Sequence, residues 1–134
     1  MEPRAALGTH DPATGRYTLH AGAGGAVRPK QDLVAVLGVA DADVRMAMHD
    51  VGGNFGTRGA FNPEFALMVW AARRVGRPVK WTSTRGVAFV CDYRARDLEA
   101  VSELALDAAG NFLALRGSLI SNVGPYPIDR KSVV

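Results

Sequence analysis

Cysteine is almost absent: Cys91 stands alone among 134 residues, so neither an internal disulfide nor a cysteine-ligated metal cluster can form within the chain. A reducing, cytoplasmic setting is the expectation that follows. Histidines number three, and His10, His20 and His49 lie at no spacing that a zinc site uses. Hydrophobic runs are short. None approaches the roughly 20 residues that cross a bilayer, and the opening Met-Glu-Pro-Arg-Ala-Ala lacks the basic and apolar regions of a signal peptide. Aromatics make up 7% of the chain and do not interleave with basic residues as a stacking platform for single strands requires. No sign of charge dominates either. Sixteen Lys and Arg face 13 Asp and Glu, and because the excess of three is spread along the chain, a pI near 9.4 is a poor argument for a nucleic-acid partner. What remains, 48% hydrophobic and 22% charged, is the composition of a soluble globular domain with a modest core.

Along the chain, Arg16 to Ala21 alternates apolar and polar residues after the turn-forming Asp11-Pro12-Ala13-Thr14-Gly15, which predicts a strand. Gly22-Ala23-Gly24-Gly25 then reads as a plain loop or as a place of close backbone approach. Ala26 to Leu37 suits a short helix with Pro29 in its first turn and Gly38 at its end, and Val44 to Asp50 alternates as a strand. A second helix is capped by Asn62, opens on Pro63 and Glu64, and carries Phe65, Met68, Val69, Ala72 and Val75 on one face, with Arg73 and Arg74 outside it. Gly76 and Pro78 end it. Val79 to Ser83 is a strand packed close to that helix. Leu98 to Leu106 and Phe112 to Asn122 form a hairpin through Asp107-Ala108-Ala109-Gly110-Asn111. The expected fold is α+β: a mixed sheet with packed helices and a C-terminal β-hairpin. Asp129 to Val134 break the pattern and match the translation of a common sequencing-adapter read, so they are set aside as an artefactual tail.

The segment with the most chemical content is Asp50-Val51-Gly52-Gly53-Asn54-Phe55-Gly56-Thr57, a glycine-rich turn between a strand and a helix, where α/β proteins commonly present backbone amides to a ligand. Its glycines permit positive φ and leave no Cβ to obstruct a bulky anionic or metal-bound group. It is neither a Walker loop nor a dinucleotide fingerprint. An apolar ring among glycines either anchors the loop in the core or walls off a pocket, and both readings stand for Phe55. Cys91 reads as a small core or sheet residue, and His49 as a packed or exposed strand residue beside the turn.

Val51 to Arg58, Asn62-Pro63-Glu64, Ala71 to Trp81 and Thr84-Arg85, in that order and spacing, resemble the large subunits of the xanthine dehydrogenase, aldehyde oxidase and carbon monoxide dehydrogenase type molybdenum hydroxylases. The shared pattern is a Gly-Gly-x-Phe-Gly turn, a Pro-Glu helix start and a Gly-Arg-Pro-Val-Lys strand lead-in. Met1 to Ala5 resembles an internal Met-Glu-Pro segment of those subunits, and Leu104 to Asn111 their Asp-x-x-Gly hairpin. The resemblance implies that residues 1–128 are part of a larger molybdopterin-binding domain. It implies a molybdopterin cofactor, in the cytosine dinucleotide form of most bacterial relatives, with 2Fe-2S clusters and FAD on an iron-sulfur small subunit and an FAD-binding medium subunit. Gly52, Gly53, Asn54, Phe55 and Gly56 would contact the cofactor, the Phe55 amide donating to an oxo ligand. Arg96 would be the substrate-side arginine, with Arg94 competing for that place and an ion pair to Asp92 or Asp97 as the structural alternative.

The implied reaction is oxidation of an aldehyde or N-heterocycle with water as the oxygen source. Departures from the pattern narrow it. Gly24 stands where many members carry a cofactor-contacting glutamine, and Gly59 where xanthine dehydrogenases carry a glutamate, which argues against purine oxidation. The cysteine loop of true carbon monoxide dehydrogenases and the glutamate general base are not in this chain, so the fragment alone is expected to be inactive. A reading from another class is a stand-alone phosphate- or nucleic-acid-binding module built on the glycine turn and the basic segment Arg73 to Lys80, but those cations divide between helix, turn and strand.

Overall fold

The computed structural model describes residues 3–92 and 97–122, so Arg94, Arg96 and the tail at 129–134 lie outside the described residues. The chain divides into two compact units, Met1–Asp92 and Tyr93–Val134, and its class is α+β as expected. In the first unit a four-stranded mixed sheet runs in the order β3, β2, β1, β4, formed by β1 (Ala5–His10), β2 (Tyr17–Ala21), β3 (Val44–Ala47) and β4 (Val79–Thr82). β1 pairs antiparallel with both β2 and β4, while β2 and β3 run parallel. The parallel step requires a crossover, and α1 (Val27–Leu37) supplies it.

Alternation sorts the sheet into two faces: Ala6 on β1, Tyr17 and Leu19 on β2 and Val44 on β3 are buried. Against them lie Leu33 of α1 and Phe65 and Val69 of α2 (Pro63–Val75), and together these residues form the core. Helix and sheet come close together at Gly8, where a Cβ would stand 2.4 Å from the backbone carbonyl of Met68. No side chain fits there. β1 has no counterpart in the sequence reading because AALGTH places this glycine at an inward position, where an apolar residue would have completed the strand pattern.

α2 begins on Pro63 behind Asn62, as expected, but the Asn62 side chain makes no capping bond and the Phe65 amide donates instead to the Asn62 carbonyl at 2.9 Å. Val75, expected on the apolar face, is 59% exposed, because the helix reaches its left-handed Gly76 cap just as its last residue clears the sheet. β3 ends at Ala47, short of the expected Asp50. A third helix, α3 (Arg85–Cys91), follows Thr84, whose hydroxyl accepts from the Val87 amide at 3.2 Å. It carries Cys91 in an exposed position, correcting the expectation of a core or sheet residue: the segment is a single short helical rung with no buried residue.

The second unit is the expected hairpin of β5 (Leu98–Leu106) and β6 (Phe112–Ser121). One face is lined by Leu98, Leu104 and Leu106 with Leu115 and Leu119 opposite. The other carries the Glu103–Arg116 ion pair.

Candidate functional site

The glycine turn emerges beyond β3 and is locked by its own asparagine. The Asn54 Oδ1 accepts the Gly56 amide at 3.0 Å, and the Thr57 hydroxyl donates to the Asn54 carbonyl at 3.4 Å. Gly53 and Gly56 take φ of 96° and 85°, conformations that cost an L side chain about 1–2 kcal/mol. Phe55 accepts that cost: its φ is 49°, the sole positive value at a described non-glycine residue. Its ring is 88% exposed, which rules out core anchoring within the described residues. The ring folds back over Gly53, where a Cβ would meet Phe55 Cε2 at 2.5 Å. Strain of this kind persists where surrounding structure over-determines it, and it concentrates at ligand-facing sites.

The second glycine segment interlocks with the first. The Gly24 amide donates to the Arg58 carbonyl at 2.7 Å, and Arg58 Nη1 returns a bond to the Gly22 carbonyl at 3.3 Å. A Cβ on Gly24 would lie 2.1 Å from Asn54 Nδ2, and one on Gly22 would lie 2.3 Å from Arg58 Nη1. Close approach is therefore the reason for Gly22 and Gly24, and Asn54 and Arg58 are the side chains that need the space. Arg58 is the residue that reading the sequence missed. The available signal was a long cation directly after a glycine turn, with two spaced glycines upstream to receive it.

His20 and His49 stack with ring centroids 5.8 Å apart and planes 6° from parallel, and both line a groove with Asp50, Val51 and Lys80. His49 thus stands at the base of the turn, but no cluster of metal-ligating side chains exists among the described residues. Asp92, one offered partner of Arg96, is held by Arg4 Nη1 at 2.5 Å, and Arg4 also faces Glu64 at 3.4 Å. Asp97, the other, accepts from Asn122 Nδ2 at 2.9 Å. The basic segment does not make a continuous stripe: Arg73 donates to the Tyr17 hydroxyl at 2.7 Å and Arg74 lies over Trp70.

The arrangement fits a bulky, partly anionic group. Gly52 and Phe55 are exposed at the crest, and a Cβ built on Gly25 or Gly56 would meet nothing within 4 Å, so both edges of the interlocked pair open onto free space. The α+β scaffold thus carries a strained turn, braced by a second glycine segment, that exposes backbone more than titratable side chains.

Comparison with known proteins identifies the family. The molybdopterin cofactor-binding domain family matches residues 1–134, and the chain belongs to that family. It is 37% identical over 127 residues to the 6-hydroxypseudooxynicotine dehydrogenase complex subunit gamma of Paenarthrobacter nicotinovorans, covering 94% of this chain and 16% of that one. It is 32% identical over 89 residues to the carbon monoxide dehydrogenase large chain of Hydrogenophaga pseudoflava, covering 66% of this chain and 11% of the relative. The chain therefore spans a small part of the length of these relatives. Among solved structures, quinoline 2-oxidoreductase from Pseudomonas putida 86 superposes with a TM-score of 0.85 at 27% identity over 91% of this chain and 16% of that one. The Cu,Mo-CO dehydrogenase shares the fold with a TM-score of 0.81 at 24% identity, over 88% of this chain and 15% of that one. No helix among the described residues is long and apolar enough to cross a membrane.

Proposed function

We propose that this chain is a segment of the molybdenum-cofactor-binding large subunit of a hydroxylase that oxidises an aldehyde or N-heterocycle with water as the oxygen source. The observation that carries the reading is Phe55, held at φ 49° and 88% exposed on a turn between Gly53 and Gly56. When bound, a molybdopterin cofactor supplies the redox chemistry, and the protein's part is to position it and to present hydrogen bonds. Gly52, Gly53, Asn54, Phe55 and Gly56 would form the wall against the cofactor. The left-handed conformation at Phe55 fixes the direction of its amide before any ligand arrives, so no reorganisation is needed when charge develops there. Gly24, where many family members place a glutamine, contributes backbone only, and Asn54 fills the adjoining space. Arg96 orients the substrate carbonyl. The cofactor is the cytosine dinucleotide form, and electrons leave through 2Fe-2S and FAD groups on partner subunits.

The test places Phe55→Pro and Phe55→Gly in the full-length subunit and assays bound molybdenum and pterin. Proline removes the amide and forbids the positive φ, whereas glycine keeps both. We expect the proline variant to lose most of its cofactor and the glycine variant to retain it. Equal retention by both would sink the backbone role, and an unsubstituted subunit without molybdenum would sink the functional reading itself. Labelled water then decides the oxygen source by its appearance in the product.

A further inference from the structure

Both ends of the glycine turn rest on one short stretch of chain, residues 20–24. The exit end is tied by hydrogen bonds: Arg58 Nη1 donates to the Gly22 carbonyl at 3.3 Å, and the Arg58 carbonyl accepts the Gly24 amide at 2.7 Å. The entry end is held differently. β3 stops at Ala47, which pairs in register with His20 of β2, and the chain then runs through Met48, His49 and Asp50 outside the strand. A segment beyond its ladder has few contacts to set its direction. Here one flat contact supplies it: the His49 ring stacks on that of His20, with centroids 5.8 Å apart and planes 6° from parallel. Val51 follows so near to β2 that a Cβ on Gly22 would stand 3.2 Å from its Cγ1. His20 is half-buried on the sheet and His49 is exposed, so His20 is the fixed ring and His49 the carried one.

We infer that His20 is a positioning residue for the glycine turn: its ring, through the stack on His49, sets the angle at which the turn leaves β3 and so the direction of the Phe55 amide. The inference rests on the reading of that amide as a cofactor contact. Neither ring belongs to the hydrophobic core, so the contact is not one that the fold requires. Asp50 and Lys80, the charged groups that line the same groove, carry opposite signs and leave it no net charge with which to select an ion. What the pair offers is two flat surfaces, and parallel offset rings are a favoured arrangement that defines an orientation as well as a distance. Without the stack, the turn would keep its internal bonds and its brace at Arg58, but its entry would be free to pivot.

The test follows amide exchange of residues 51–57 in the cofactor-free full-length subunit and measures uptake of molybdenum and pterin separately. His20→Ala and His49→Ala should each speed exchange there roughly fivefold, the worth of one aromatic contact, with exchange in α2 unchanged. The double variant should do no more than either single one, since both remove the same contact. His20→Phe keeps a flat ring and lacks the ring nitrogens, so it should restore slow exchange; cofactor uptake should fall in the alanine variants and recover with phenylalanine. Unsubstituted exchange rates in both alanine variants, effects that add in the double one, or a His20→Phe subunit that exchanges as fast as His20→Ala would each overturn the inference. Faster exchange that spread to α2 would overturn it too, because the rings would then be holding the fold. Slow exchange restored by phenylalanine in a subunit that takes up neither molybdenum nor pterin would uphold the positioning role and remove the cofactor reading instead.

Discussion

Two turns in this molecule are built by the same local chemistry to opposite ends. In the hairpin, Asp107 accepts the Ala109 and Asn111 amides at 2.8 Å each and the Asn111 side-chain amide at 2.7 Å, and the one left-handed position is given to Gly110 at φ 85°. Nothing there is strained. In the glycine turn, Asn54 also accepts a nearby amide, but a phenylalanine occupies a left-handed position between two glycines that have φ of 96° and 85°. A relaxed turn merely reverses a chain, whereas a strained one requires bracing, and Gly24 with Arg58 provides it. Strain of this kind concentrates where a turn faces a ligand, and the difference is what the proposed cofactor role of the glycine turn rests on.

The largest expected effect tests the brace. Gly24→Ala drives a Cβ into Asn54 Nδ2 and close to the Arg58 carbonyl, and overpacking of this kind costs about 2 kcal/mol. Adding Asn54→Gly should recover more than half of that loss, because the two residues share one volume and their effects cannot be additive. Thermal unfolding of both single variants and the double variant measures the coupling; strictly additive shifts would show that the two segments do not interlock. In the hairpin, Gly110→Ala meets nothing within 4 Å and should cost only the torsional term of about 1 kcal/mol. Amide exchange across β5 and β6 reads that loss. A cost equal to that at Gly24 would remove the distinction between a crowded glycine and one that is only twisted.

A smaller effect comes from acid. The side-chain bond from Asn111, followed by its backbone amide, holds the Asp107 carboxyl below its ordinary range, and Thr14 and then the Ala13 amide do the same for Asp11. Because the folded value is the lower one, the contribution to stability is present above the unfolded pKa of roughly 3.9 and is lost as pH falls through the folded value. Amide protection in the Asp107 turn should therefore decline below about pH 4, and Asp107→Asn should flatten that decline. Exposure keeps both effects modest.

The parts of this fold legible in the sequence were those where periodicity and punctuation agree. α1, α2 and the hairpin fall within a residue or so of expectation because Pro63, Gly38, Gly76 and the Asp107 loop set their ends. β1 escaped because Gly8 is demanded by the approach of Met68, a contact between segments far apart in the chain. α3 escaped because a seven-residue helix with no buried position has no apolar stripe to read. At the candidate site, the turn was visible as composition, but its brace was not: that Asn54 needs Gly24 and Arg58 needs Gly22 is a tertiary fact.

The smallest expected change in stability is the most informative about Phe55. Glycine at this position removes strain of about 1–2 kcal/mol and adds unfolded-state entropy worth roughly 0.5–1 kcal/mol. Loss of an aromatic ring that is 88% exposed removes little burial, so Phe55→Gly should leave thermal stability unchanged or slightly raised. A large aromatic that can be deleted without penalty is there for something other than folding. If the variant instead melted several degrees lower, the ring would be an anchor for the loop after all, and the two turns would differ in packing and not in purpose.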